Sequence, residues 1–208
     1  LKQKVLQEKI SIEELSRLTI DLCSAIEVCH AKGIVHRDIK PENIFYSPLL
    51  KKYKIGDFGI ACYLSRVTEE KGQPGTLTHM APEVYCGELF DYTSDLYAVG
   101  MILYKFLNEN RVPFLPDYPE KYSPAMRNQA IHRRLHGEAI PLPSIVRKKR
   151  GKILSLLDMG KISEQGVRHL AIIAAKAIDS DKSNRYASAT ELKLELIQWQ
   201  RLYGGIES

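Results

Sequence analysis

Apolar residues recur every three or four positions from 12 to 29. Ile12, Leu15, Leu18, Leu22, Ile26 and Cys29 fall on one face of a helix predicted over 11–32. Ser11 and Glu14 have the spacing of a capping box at its start, and Gly33 is a natural stop at its end. The period then shortens. "NIFY" (43–46) and "KYKIGDF" (52–58) predict short strands joined around Pro48. No period is sustained from 60 to 80, where Gly72, Pro74 and Gly75 predict a long loop.

Downstream the pattern is helical. Residues 95–108 are apolar on nearly all sides, as in a helix buried at a core's centre. A more polar helix is predicted over 123–136, and Val167, Leu170, Ile173, Ala174, Ala177 and Ile178 mark another. Ser188 and Glu191 form a second capping box before a last helix with Leu192, Leu196 and Trp199 on one face. Residues 138–162 have no clear period and read as a basic loop with one short helix. The expected architecture is a single domain over 1–208, mainly α with a few short β-strands near its N-terminal third.

Composition narrows the partners. The 208 residues are 44% hydrophobic and 26% charged, ordinary for a globular domain. A net charge of +5, with basic residues scattered among acidic ones, is too weak to argue for nucleic acid. The run "RKKRGK" at 147–152 reads as a solvated linker, with phosphates or acidic lipid as the alternative. Cys23, Cys29, Cys62 and Cys86 have neither CxxC nor zinc spacing, which fits a reducing cytosol. The longest apolar stretch, 96–107, is too short to span a bilayer, so no membrane contact and a cytoplasmic location are expected.

The chemistry concentrates in "HRDIKPEN" (36–43) and "DFG" (57–59). A strand pair between them brings Asp38, Lys40, Asn43 and Asp57 to one edge. Asp57 and Asn43 supply the hard oxygen donors that Mg²⁺ takes, and Lys40 is a point charge for a phosphoryl oxygen. Asp38 remains to accept a proton from an incoming hydroxyl. That inventory suits phosphoryl transfer, where positioning and charge neutralisation supply most of the catalysis. Taken alone, each part is weak: "DFG" is a turn, Asp95 a helix cap and Arg185 a helix-end cation.

In this order, "HRDIKPEN", "DFG", "APE" (81–83), "SDLYAVG" (94–100) and Arg185 in "DSDKSNRY" resemble the helical C-terminal lobe of eukaryotic-type (Hanks-type) serine/threonine protein kinases. The resemblance implies a protein-kinase-like helical lobe that uses ATP and Mg²⁺ to phosphorylate Ser and Thr of protein substrates. It makes Asp38 the catalytic base and Lys40 a γ-phosphate contact, with Asn43 and Asp57 as metal ligands and Phe45 under the adenine. His36 and Phe58 are expected to stack together, Asp95 to brace the catalytic loop, and Glu83 to pair with Arg185. Residues 60–83 become the activation segment, in which Thr76 orients the acceptor hydroxyl. Ser65, Thr68, Thr76 and Thr78 are candidate phosphorylation sites answering to Arg37.

The chain departs from that family at His79, where an aromatic or hydrophobic residue is common, and in the length of 138–162. It also shows no glycine-rich loop, strand lysine or helix glutamate, so the N-terminal β-lobe is expected to be absent and the isolated lobe a poor catalyst. A non-catalytic lobe that binds a protein partner is the main alternative. A small-molecule phosphotransferase of aminoglycoside or choline type ranks last, because those lack "APE" and its distal arginine.

Overall fold

The computed structural model describes residues 10–63, 77–147, 157–158 and 162–204. Its first element is strand β1 (Ile10–Ser11), which leads straight into helix α1 (Ile12–Ala31). Ser11 caps α1 by accepting the Glu14 N–H at 3.0 Å, satisfying one of the helix's orphan donors. The Glu14 carboxylate accepts the Tyr53 hydroxyl at 2.6 Å, which ties the helix to a strand.

Strand β2 (Ile34–Val35) follows, then a 3₁₀ turn over Pro41–Asn43 and the antiparallel hairpin β3 (Ile44–Ser47) and β4 (Lys52–Ile55). The predicted second strand is shorter than expected, because the register ends with Ile55 opposite Ile44 and, after one further bond from Gly56 to Asn43, the chain turns at Asp57. Two pairings have no counterpart in the sequence pattern. Strand β5 (Cys62–Tyr63) lies antiparallel to β2, and β6 (Leu157–Asp158) lies parallel to β1.

The rest is helical: α2 (Pro82–Tyr85), α3 (Tyr92–Leu107), α4 (Pro124–Leu135), α5 (Ser144–Arg147), α6 (Glu164–Ala177) and α7 (Ala189–Tyr203). Helix α3 begins earlier than its apolar run because Asp91 and Ser94 close a reciprocal capping box. Its Leu96, Tyr97, Val99, Met101, Leu103, Tyr104 and Leu107 are fully buried. It packs on α1 and α6, while α7 packs on α1 and α6 from the other side.

Contact between α3 and α6 depends on Gly100. A Cβ there would come within 2.5 Å of the Ala177 Cβ, so only a hydrogen fits. Trp199, also fully buried, places its indole N–H 2.7 Å from the Gly166 carbonyl and so joins α7 to α6. No helix among the described residues is long and apolar enough to cross a membrane. The core thus surrounds α3, and the hairpin β3–β4 sits on one edge of it beside α1.

Candidate active site

Helix α3 delivers Asp95 to the centre of the site. This carboxylate is 1% exposed and accepts the backbone N–H groups of His36 and Arg37, each at 2.9 Å. His30 of α1 brings its Nε2 to 2.9 Å from the same carboxylate. The end of α1 and the loop just after it therefore converge on one buried anion from a helix about 60 residues away. The brace also holds Arg37 at φ 73, a left-handed conformation that is uncommon for a residue with a side chain. Sequence reasoning gave His30 no role, since a histidine near a helix end has no signature of its own.

The braced loop presents the polar set. Lys40 Nζ donates to Asp38 Oδ2 at 2.5 Å. The Asn43 amide donates to the Asp38 carbonyl at 2.9 Å and to Asp38 Oδ2 at 3.1 Å. Asn43 is buried at the head of β3, and its carbonyl accepts the Gly56 N–H at 2.9 Å. Asp57 comes next, itself at φ 61, with Oδ1 accepting the Gly59 N–H at 3.2 Å. The hairpin thus brings Asp38, Lys40, Asn43 and Asp57 to one edge.

These donors suit a hard cation. Among the described residues no group of three or more His, Cys, Asp or Glu could hold a metal. One carboxylate and one amide oxygen could serve an ion such as Mg²⁺ that completes its shell with phosphates and water. The Asn43 amide nitrogen is engaged by Asp38, which leaves Oδ1 as its donor to a cation.

His36 is fully buried and meets the Phe58 ring edge-on, with centroids 4.7 Å apart. Phe45 is 56% exposed, and its ring lies so close to Gly56 that a Cβ there would approach within 2.9 Å. Arg37 lays its guanidinium 4.8 Å from the centroid of the Phe90 ring. Thr76, with Ser65 and Thr68, lies outside the described residues.

Glu83, on the short helix α2, is joined to Arg185 by two bonds of 2.7 Å in a bidentate pair. Arg185 also donates to the Asp179 carbonyl at 2.7 Å and stacks 4.7 Å from the Tyr97 ring centroid. A second buried arginine escaped the sequence reading. Arg134 of α4 is 0% exposed and donates to the carbonyls of Leu77 at 2.6 Å and Met80 at 2.8 Å. In a polar helix rich in arginine, nothing marks one of them as internal.

His79 lies in the segment that Arg134 holds. Burial pushes its imidazole down to about 3 from the ordinary 6.5, and Lys105, Arg134 and Lys40 add repulsion. Among the described residues neither ring nitrogen has a hydrogen-bond partner. The folded chain keeps this ring neutral, while the unfolded chain protonates it below about pH 6.5. Its contribution to stability is therefore complete above pH 6.5 and is lost as pH falls toward 3, by about 1.4 kcal/mol per unit. Urea unfolding at pH 7.0 and 5.5 should show His79→Phe losing roughly 1 kcal/mol less than the parent across that interval. Equal losses would place the proton elsewhere.

A family model described as protein kinase domain matches residues 1–194. The chain is 31% identical over 201 residues to the probable serine/threonine-protein kinase PknB of Bifidobacterium longum, covering 95% of this chain and 25% of that protein. It is 30% identical over 184 residues to the serine/threonine-protein kinase PknB of Mycolicibacterium smegmatis, covering 86% of this chain and 25% of that protein. A probable myosin light chain kinase of Dictyostelium discoideum is 38% identical over 115 residues, covering 55% of this chain and 24% of that protein. The chain spans about a quarter of the length of these curated relatives.

Proposed function

This chain belongs to the protein kinase domain family, and from that premise we propose that its braced loop carries the catalytic residues of a serine/threonine protein kinase. The observation that carries the reading is the polar set at the hairpin edge. Asp38 shares hydrogen bonds with Lys40 and Asn43 on a backbone held by buried Asp95, opposite Asp57. Every part of that set has an assigned task in moving the γ-phosphoryl group of ATP to a hydroxyl.

Asp38 accepts the hydroxyl proton. Lys40, bonded to the same carboxylate, lies where it can meet a phosphoryl oxygen and balance its charge. Asn43 and Asp57 would hold Mg²⁺, which neutralises phosphate charge when bound. Phe45 offers its exposed ring to the nucleotide base, and the His36–Phe58 contact sets the position of Asp57 beside it. Arg37 is the cation against which an activation-segment phosphate would pair. The acceptors are Ser and Thr hydroxyls of proteins.

The metal assignment has its own test. In the natural protein, Asp57→Asn should lower Mg²⁺-dependent nucleotide affinity at least about 10-fold, the loss that follows even from disturbing an outer-shell partner. Titration calorimetry with and without Mg²⁺ measures it. Unchanged Mg²⁺-dependent affinity would remove Asp57 from the metal site.

A further inference from the structure

Cations from separate elements gather around the segment 77–80, whose His79 and Met80 line one cavity with Asp38. Arg127, exposed on α4, brings Nη2 to 3.5 Å from Thr78 Oγ1. Lys105 rises from α3, partly buried, and among the described residues it forms no ion pair. Burial depresses its ammonium; Glu42 opposes that shift and Arg127 reinforces it. Lys40 stands on the Asp38 side, and Arg134 lies beneath, fixing the backbone of Leu77 and Met80. Burial, with repulsion from Lys105, Arg134 and Lys40, keeps His79 neutral and out of the charge balance.

A partly desolvated ammonium without an ion pair is costly unless something anionic reaches it. Arg127 points the same way, because its hydrogen-bond partner on this face is a neutral hydroxyl at the limit of bonding distance. Arg127 touches Thr78 and Lys105 acts on His79, and His79 and Met80 line one cavity with Asp38, so a chain presented to Asp38 comes within reach of both cations. A basic acceptor chain would be repelled there.

Resting on the phosphotransfer reading above, we propose that Lys105 and Arg127 select acceptor segments that carry an anionic group, carboxylate or phosphate, close to the hydroxyl. Both are specificity residues; neither takes part in the transfer itself.

The test is kinetic and uses the natural protein with saturating ATP and Mg²⁺. Peptides identical except for the residues flanking one serine carry aspartates, alanines or arginines there. The expected kcat/KM is at least about 10-fold higher for the aspartate peptide than for the arginine peptide, and added salt should narrow the gap. Arg127→Glu, on an exposed side chain, and the milder Lys105→Gln should each cut that ratio several-fold. A ratio taken within one preparation is insensitive to how much of the variant is folded. A peptide with phosphoserine beside the acceptor separates the two anions: faster turnover than the aspartate peptide assigns the face to phosphate, and slower turnover assigns it to carboxylate. Equal rates with all flanks, or a preference for arginine, would overturn the inference and leave the phosphotransfer reading standing. No transfer to any peptide would overturn both.

Discussion

Replacing Arg185 with alanine should destabilise the protein by roughly 3–5 kcal/mol, the cost of stranding one partner of a buried ion pair. The Arg185 side chain is 0% exposed and that of Glu83 6%, so water cannot replace the missing guanidinium. The same change removes the donor to the Asp179 carbonyl and the cation stacked on Tyr97. For a domain of this size the melting temperature should fall by about 10 °C. Replacing both partners with apolar residues, Arg185→Met with Glu83→Leu, should restore part of the loss, because no buried charge is then left unpaired. An Arg185→Ala variant that melts like the parent would mean the pair contributes nothing net.

The second large effect is catalytic. Asp38→Ala in the natural protein should lower kcat by about 10²–10⁴-fold, the range for loss of a general base. Affinity for nucleotide should change little, since the assigned metal donors are Asn43 and Asp57. The fall should therefore appear in kcat with KM for ATP nearly constant. Asp38 also anchors Lys40 and Asn43, so Asp38→Asn serves as the milder companion that keeps a polar group of the same shape. A kcat within a few-fold of the parent in both variants would exclude Asp38 as the base.

Several features were legible because they are local or periodic. The amphipathic face of α1 and the buried run of α3 follow from spacing alone. The hairpin β3–β4 follows from a change of period, and it accounts for the convergence of Asn43 and Asp57. The Glu83–Arg185 pair, 102 residues apart, could be expected only through family resemblance, since no pattern in one sequence links such positions.

What escaped is short or context-dependent. Strands β2, β5, β1 and β6 have two residues each, too few to show an alternation. The left-handed backbone at Arg37 and Asp57 has no glycine to announce it; at the first of these, backbone N–H groups donating to Asp95 hold it. His30 and Arg134 look like surface residues in their own helices, and only tertiary packing turns them inward against Asp95 and against the Leu77–Met80 segment.

The most direct measurement of the central claim is transfer of labelled γ-phosphate from ATP by the natural protein in Mg²⁺, followed by identification of the labelled amino acids. The structure predicts phosphoserine and phosphothreonine on an added protein, lost when Asp38 is replaced by alanine. Label that stays in ATP or free phosphate, or that survives the Asp38 substitution, would contradict the assignment of this loop as the catalytic centre.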